Sequence, residues 1–463
     1  MRSGLPEIIL IVTLVSVLAK TILLPHAYKR LAPVVFLIVI CSILAILLLN
    51  LKPEICGLFN NWMVIDAFGN HFKSIVTCIA LLFCLILLIS ARHNSFDSEL
   101  YFFFILQVTI VFLSASINNF IGIALLLILN IICFHALLSV QLEMNQLVPQ
   151  LAKILKTDWV SMIAMLSGIA LIKGFTGSFM LNGLGNKIAT TTDPLVEGFI
   201  WLLVLLGFRR TITCFFNWRE LLEIYEKSSK VNSILCTVLT PMAELAILIR
   251  LKVTAFPAGV TSDAWNLVVL TASFGLLLTG SFAAKNAKDS LQYLLYSGFS
   301  NMAFILMGLI LPGSLGIIYI LIMLIAHSLS LIGILMGLVE PDNSQLVIRP
   351  TLWSIFFLLN YLGFPGLLGF IPRVLFLTAF GTSRYLNYPI LAFFVVNYGI
   401  LLYLAFQHTQ QDIHHMIITR KFWQEKSVLV FGQVGIMLFL VITGIYWQPL
   451  LKFLQSACVF FQP

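Results

Sequence analysis

The sequence predicts an all-α polytopic membrane protein with about fourteen transmembrane helices, and three observations support this fold class. Of its 463 residues, 60% are hydrophobic and only 10% are charged, with a mean hydropathy of +1.03, whereas soluble domains carry about 25% charged residues. The hydrophobic residues form runs of the roughly 20 residues that a helix needs to cross a bilayer. Two of these runs are interrupted by Gly, Pro and Arg residues.

The apolar runs give the predicted spans in chain order. They lie near 5–24, 32–51, 73–92, 100–117, 119–139, 158–176, 198–218, 231–251, 265–283, 289–311, 315–338, 351–380, 387–405 and 428–452. The first run has no small-residue cleavage site before or after it, so we expect a retained span rather than a signal peptide. No linker or low-complexity segment separates the runs, which predicts a single membrane domain over 1–463.

The order of the interrupted spans predicts a duplication. Spans four to eight (100–251) and nine to thirteen (265–405) form two groups of five, and the interrupted span is the fourth member of each. Because five is odd, successive units enter the membrane from opposite sides, which is the condition for inverted repeats. A three-helix segment (1–99) precedes them, and a connecting loop with a C-terminal helix (406–463) follows.

The distribution of Lys and Arg predicts the orientation of the chain. With the N-terminus outside, the inside loops hold fifteen of the 27 basic residues and the outside loops hold nine, among them Lys73, Arg250 and Lys252. Short inside loops usually carry the excess of positive charge. We therefore expect both termini on the outer, positive side of the membrane.

Three arginines lie inside predicted spans. Arg209 and Arg210 fall near the middle of the run 198–218, and Arg373 follows a Gly- and Pro-rich interruption in the run 354–380. A charge at the centre of a membrane helix costs about 2.5 kcal/mol or more, so such residues usually face protein or water. The alternative for Arg209 and Arg210 is a helix that ends early and lets both side chains reach an interface.

Other polar residues have a functional and a structural interpretation. Glu244 follows a Thr-Pro kink and either partners an arginine across the helix break or is hydrated near a helix end. His327 lies in a long apolar run, where it either relays protons or is a neutral core histidine. Lys153 and Lys156 precede span six, and from position alone they form a positive flank.

The sequence shows no site for a metal or a cofactor. The eight cysteines are scattered without a CxxC pair, which argues against zinc or an iron–sulfur cluster. A solvated loop is favoured over a metal site for His408, Asp412, His414 and His415. The sequence has no P-loop, dinucleotide fingerprint, HExxH or nucleophile elbow. Any energy source must therefore lie elsewhere.

Several motifs, in order, resemble a known family. They are PEIILIV (6–12), WMVIDAFGNHFK (62–73), GIALIKGFTGS (168–178), GFRRTITCFFNW (207–218), LLYSGFSNMAF (294–304) and GFPGLLGFIPR (363–373). The chain is similar to the antiporter-like membrane subunits of respiratory complex I, the family of subunit N of the bacterial enzyme and mitochondrial subunit 2. The resemblance covers nearly the whole length.

The resemblance implies a fourteen-span proton-channel module of a proton-pumping NADH:quinone oxidoreductase. It implies partners in the bilayer, namely other antiporter-like subunits and a small three-span subunit, and no nucleic acid. FMN, iron–sulfur clusters and quinone are expected in partner subunits, with no cofactor on this chain. A bacterial inner membrane is favoured over a mitochondrial one.

The chain departs from the family at the residues that carry protons. The resemblance implies lysines in both broken helices, where this chain has Arg209 and Arg373, and a lysine in span eight, where it has Met242. The span-five glutamate is missing, because 119–139 contains no acid and its main polar residues are Asn130 and His135. Only the lysine before span six is kept, as Lys153.

These departures leave three functions open. The first is a complex I subunit that contributes to proton translocation or its coupling, with an altered or inactive proton path. The second is a subunit of a multi-component cation/proton antiporter, and the third is a non-transporting scaffold paralogue. Lys153, Arg209, Arg373, Glu244 and His327 are the candidate site residues, in proton-path or fixed-charge roles.

Overall fold

The fold is a bundle of apolar helices, as the composition predicts. The structure, a computed structural model, describes residues 5–23, 32–50, 55–90, 98–140, 144–212, 218–256, 262–287, 290–338, 352–380, 388–419 and 428–458. Within these ranges eight helices are long and apolar enough to cross a membrane, or nine if a bent pair near the C-terminus forms one span. The chain is therefore an all-α polytopic membrane protein, while the number fourteen stays a prediction.

The N-terminal segment contains helices and one short hairpin. Its elements are α1 (Leu5–Leu23), α2 (Ala32–Leu49), β1 (Cys56–Leu58), β2 (Met63–Ile65) and α3 (Ala67–Ser90). The two strands are antiparallel, with Cys56 opposite Ile65. Phe59, Asn60 and Asn61 turn the hairpin with positive φ angles, a conformation in which asparagine is enriched among non-glycine residues.

The first predicted group of five spans contains seven helices. They are α4 (Ser98–Ser116), α5 (Phe120–Ser139), α6 (Met144–Thr176), α7 (Leu184–Thr191), α8 (Pro194–Leu206), α9 (Trp218–Lys227) and α10 (Lys230–Ala255). The predicted span 198–218 is broken, because α8 ends at Leu206 and α9 is a short charged helix, WRELLEIYEK. α6 begins fourteen residues before the predicted span at 158, so Lys153 and Lys156 lie inside a helix.

The second group contains a matching break. Its helices are α11 (Asp263–Lys285), α12 (Ser290–Met307), α13 (Gly313–Leu338), α14 (Leu352–Leu362), α15 (Phe370–Phe380) and α16 (Tyr388–Thr419). The prediction of a loop around His408, Asp412, His414 and His415 is wrong, because α16 continues through these residues. His408 is buried and packs on the Tyr293 ring, while the other three side chains lie outside the described residues.

Two helices occupy the centre of the bundle. In the membrane-length window of α10, 94% of the residues are buried, and in that of α13 all are, whereas only about a third of those in α6 and α16 are. α10 packs on α4, α5 and α13, and α13 also packs on α14 and α15. Both broken segments therefore lie beside the most enclosed helices. α17 (Val428–Ile445) packs on α13. The axis of α18 (Gln448–Ala457) is bent by 86° from that of α17.

Three basic residues predicted in outside loops lie in helices and are buried. Lys73 of α3 pairs with Glu7 of α1, and Arg250 of α10 pairs with Asp66. Lys252 of α10 donates to the carbonyls of Gly308, at 3.1 Å, and Leu311, at 2.5 Å. These contacts tie the helices together, so the three cations are not loop charges of the kind that the positive-inside rule counts.

The break between α14 and α15 is held by one asparagine. The Asn360 amide donates to the Ser330 hydroxyl of α13 at 2.8 Å, and its Oδ1 accepts the Gly369 N–H at 3.0 Å. Gly363 and Gly366 have φ angles of +76° and +87°, which only glycine adopts at low cost. The local sequence and the contact with α13 together fix where the helix stops.

Replacing Gly369 by Ala should destabilise this break. A Cβ at Gly369 would lie 1.9 Å from the Asn360 carbonyl oxygen, and overpacking of this kind costs about 1–3 kcal/mol. We expect a lower Tm for the purified chain in detergent. Gly399→Ala in α16 is the control, because a Cβ there meets nothing within 4 Å. Equal Tm values for the two variants would contradict the close approach.

Candidate functional site

The break after α8 brings two arginines into the protein interior. Arg209 and Arg210 follow Leu206 within four residues, and their exposed fractions are 2% and 6%. Gly207 allows the turn to pack against α6, because a Cβ there would lie 2.4 Å from the Met165 sulfur. The two side chains therefore do not reach an interface, and the alternative of an early helix end with both arginines at the surface does not hold.

Asp158 is the counter-ion of both arginines. It lies on α6 and is fully buried. Its Oδ1 accepts the Arg209 Nε–H at 2.8 Å, and its Oδ2 accepts an Arg210 Nη2–H at 2.8 Å. Arg209 also donates to the Thr157 hydroxyl at 3.0 Å. One carboxylate thus bridges two guanidinium groups, which lowers the cost of burying all three charges.

Glu244 contacts the main chain of the break. It lies on α10 after Pro241, and its carboxylate accepts the backbone N–H groups of Arg210 and Thr211, both at 2.9 Å. The Thr211 hydroxyl donates to the same oxygen at 2.9 Å. A helix break leaves backbone N–H groups without helical acceptors, and the Glu244 carboxylate is the acceptor for two of them. Glu244 thus contacts the main chain of Arg210, while the guanidinium groups of Arg209 and Arg210 pair with Asp158.

Two side chains of α5 complete the first cluster. The Arg210 guanidinium lies 3.6 Å from the centre of the Phe134 ring, a favourable cation–π distance. His135 donates from Nδ1 to the Ile131 carbonyl at 2.8 Å, and its Nε2 lies 3.6 Å from Asp158. A proton on Nε2 would face that carboxylate, so His135 is the titratable neighbour of the ion pairs.

Arg373, in the first turn of α15 just after the second break, has different surroundings. Its Nη2 donates to the Asn301 side chain at 2.9 Å, and the guanidinium lies 3.9 Å from the Phe304 ring and 5.1 Å from the Tyr398 ring. No Asp or Glu in the described part of the chain pairs with it. Its charge is therefore held by ring faces and one amide.

A cavity lies between the two groups of helices. Its volume is about 30 Å³, room for about one water molecule, and Arg210 of the first group and His327 of the second both line it. The His327 ring lies 5.3 Å from the Tyr361 ring. Lys153 is not part of this arrangement, because its side chain is exposed on α6. Of the five predicted site residues, Arg209 and Glu244 both lie at the first break, His327 lines the cavity, and Arg373 lies in the first turn of α15, after the second break.

Sequence analysis missed Asp158, although a signal was present. The hydropathy pattern places the start of span six at this residue, which makes the aspartate look like a polar flank. It is, however, the only acid between Glu143 and Asp193. An isolated acid next to a span, in a chain with buried arginines to neutralise, is a candidate counter-ion.

Comparison with known proteins places this geometry in a family. Residues 118–400, which contain both breaks, match the family described as NADH:quinone oxidoreductase/Mrp antiporter, TM. NADH-quinone oxidoreductase subunit N of Bartonella bacilliformis is 24% identical over 327 residues, 69% of this chain and 66% of that protein. The chain thus spans just under two thirds of the length of this relative.

Solved structures share the fold over nearly the full length. A chain of the membrane-bound sulfane sulfur reductase, an archaeal respiratory membrane complex, superposes with a TM-score of 0.83 at 13% identity, covering 100% of this chain and 98% of that one. A chain of respiratory complex I from Thermus thermophilus with bound Aureothin gives 0.73 at 18%, covering 96% and 98%. These likenesses show the fold.

Asp158→Asn should destabilise the first cluster. The change leaves Arg209 and Arg210 buried without a counter-charge, and breaking a buried pair costs about 3–5 kcal/mol. We expect a large loss of folded protein and a lower Tm in detergent. Asp193→Asn is the matched control, because Asp193 is exposed and its side chain makes no cap hydrogen bond to α8. If both variants are as stable as the native chain, Asp158 does not hold the cluster.

Proposed function

This chain belongs to the NADH:quinone oxidoreductase/Mrp antiporter membrane family, and on that premise we propose that it is a membrane-arm, antiporter-like subunit of a proton-pumping NADH:quinone oxidoreductase. The observation that carries the proposal is the relative named subunit N of that enzyme, which it matches over 327 residues. The proposed role is proton translocation or its electrostatic coupling. NADH oxidation and electron transfer belong to partner subunits.

The ionic chemistry of the two breaks supports an altered proton path. A buried lysine can release its proton within a catalytic cycle, whereas arginine stays protonated in proteins. This chain has Arg209 at the first break and Arg373 in the helix that follows the second break, and Arg209 is paired with Asp158 at 2.8 Å. We therefore assign both arginines as fixed positive charges that do not exchange protons.

The remaining titratable groups are suited to electrostatic coupling. Glu244 and His135 lie next to the fixed charges of the first break, and His327 lines the same cavity as Arg210. A change in the charge of any one of these groups alters the electrostatic energy of the cluster, and no proton has to pass through an arginine. Asp158, with both oxygens in ion pairs, is a positioning residue for Arg209 and Arg210.

The same proposal includes the membrane, the topology, the partner subunits and the cofactors. We place the subunit in a bacterial inner membrane, with both termini outside and two inverted five-helix repeats over 100–251 and 265–405. Its partners are other antiporter-like and small membrane subunits. FMN, iron–sulfur clusters and quinone belong to partner subunits, and this chain carries no cofactor of its own.

The family description favours one second candidate function. It also covers Mrp antiporters, so a subunit of a multi-component cation/proton antiporter would use the same fold. Copurification with hydrophilic flavin and iron–sulfur subunits supports the oxidoreductase, and their absence from an intact purified complex supports the antiporter. A non-transporting scaffold is supported if Lys153→Ala leaves pumping unchanged.

Placing lysine at positions 209 and 373 tests the proposal that both arginines are fixed charges. The complex is reconstituted in liposomes with the native chain and with Arg209→Lys plus Arg373→Lys, and protons moved per NADH oxidised are measured. We expect a ratio below the family's full value for the native chain and a change in that ratio for the variant, because lysine can deprotonate when buried.

The control is an exchange of lysine and arginine at a site away from both breaks. Lys187→Arg changes a basic side chain of α7 that lies outside both breaks, so it should leave the ratio unaltered. A native ratio already at the family's full value, unchanged by the two lysines, would show that the arginines do not limit translocation.

A further inference from the structure

Lys252 differs from the other buried cations in having no acidic partner. Five Lys and Arg side chains are buried in the described part of the chain, and four of them pair with Asp or Glu, namely Lys73, Arg209, Arg210 and Arg250. The fifth, Lys252 of α10, is 2% exposed, and its hydrogen bonds go to main-chain carbonyls. Its charge is therefore held without a fixed counter-charge among the described residues.

The Lys252 nitrogen lies in a cradle formed by the turn between α12 and α13. Its Nζ donates to the carbonyls of Gly308, at 3.1 Å, and Leu311, at 2.5 Å. Carbonyls at the end of a helix lack the N–H partners that they would have inside it. A Cβ on Gly316 of α13 would lie 2.6 Å from the Lys252 nitrogen and 2.3 Å from the Gly308 oxygen. Glycine at position 316 thus leaves the space that the lysine nitrogen fills.

The helices around the cradle bring no carboxylate to it. α7, α12, α13 and α18 contain no Asp or Glu. Arg250, two residues earlier on α10, pairs with Asp66, and residues two apart on a helix do not share a face. The thiol of Cys458, at the end of α18, is the titratable group that interacts electrostatically with Lys252. The cradle therefore combines one amine, two carbonyls and one thiol.

This cradle suits the neutral amine as well as the ammonium ion. An ammonium has three N–H donors, and after it loses one proton the amine keeps two, one for each carbonyl. No carboxylate loses its partner in that step. Loss of a proton from Lys73, in contrast, would leave the buried Glu7 carboxylate unpaired, which is strongly destabilising. Of the two buried lysines in the described part of the chain, Lys252 is the one that can change its charge without disrupting its contacts.

We propose that Lys252 exchanges protons during turnover and is the residue through which the first half of the chain releases them. The inference rests on the proposed function and its topology, in which α10 ends on the outer side of the membrane. Glu244, at the first break, lies eight residues earlier on α10, about 12 Å along the helix axis. Met242, where the resemblance implies a lysine, is about 15 Å away, so Lys252 does not simply replace the missing side chain.

The exchange is a balanced transfer of one proton. The neutral amine accepts a proton from the interior of the protein, and the ammonium ion gives one to water on the outer side. Each cycle returns Lys252 to its starting form and needs no oxidant or other reactant. Arg209 and Arg210 remain protonated throughout, since arginine does not release its proton in proteins.

Nitrogen NMR of the full chain tests the exchange without relying on the proposed function. The chain is isotopically labelled at its lysine Nζ atoms and reconstituted in liposomes, and solid-state spectra are recorded at a series of pH values. The resonance that is missing in Lys252→Gln belongs to Lys252. As the pH rises, we expect this resonance to change reversibly from the ammonium to the amine position while Lys187, which is exposed on α7, is still an ammonium ion.

Protons moved per NADH in the reconstituted complex test the role in translocation. Lys252→Arg keeps a positive charge and N–H donors for the carbonyls, but arginine does not deprotonate. Lys252→Gln keeps N–H donors without the charge. We expect both variants to lower the ratio to the same value. Lys187→Arg and Lys187→Gln are the matched controls on α7 and should leave the ratio unchanged.

Two results would overturn the proposal. The first is a Lys252 resonance that stays in the ammonium position until Lys187 also deprotonates. The second is a native ratio in Lys252→Arg, which would make Lys252 a fixed charge. A purified complex without flavin and iron–sulfur subunits would instead contradict the proposed function, and the NMR titration would still decide whether Lys252 exchanges a proton. If neither variant folds, magnetisation transfer from Nζ to the carbonyl carbons of Gly308 and Leu311 identifies the resonance in the native chain.

Discussion

The carboxylate of Asp158, shared by two guanidinium groups, is the interaction on which the first half of the molecule depends. Arg209 and Arg210 lie at a helix break, where the main chain also lacks its helical acceptors. Asp158 neutralises the side chains, and Glu244 accepts from the backbone. With both acids ionised, two positive and two negative charges meet in one buried site. Removing either acid leaves an uncompensated group, so the break and its charges are stable only together.

This constraint explains why α10 and α13 are so deeply enclosed. A broken helix in a membrane needs protein around its free backbone groups, because lipid offers no hydrogen bonds. α10 supplies Glu244 to the first break, and α13 supplies Ser330 to Asn360 at the second. The two helices also contact each other. The breaks are thus supported by the same central pair of helices, and a shift in either helix reaches both.

The sequence was sufficient for the fold class and for the two breaks, because both depend on local properties. Hydropathy predicts spans directly, and Gly, Pro and Arg in an apolar run mark an interruption. Asp158 was missed because its role depends on α6 packing beside α8, which no local pattern encodes. The same limit applies to Lys252, which looks like a loop cation and is buried against carbonyls of the turn after α12. Pairing across helices is the information that a single sequence lacks.

Each half contains a helix break near an arginine, and the two breaks differ in how that charge is balanced. The first break balances its arginines with acids, whereas Arg373 is held by Asn301 and by the rings of Phe304 and Tyr398. Cation–π contacts contribute about 0.5–2 kcal/mol each, but these neutral partners leave the charge of Arg373 without a counter-charge among the described residues. The two sites therefore differ in how their charge is balanced: Arg209 and Arg210 share the Asp158 carboxylate, whereas the contacts described for Arg373 are all with neutral side chains.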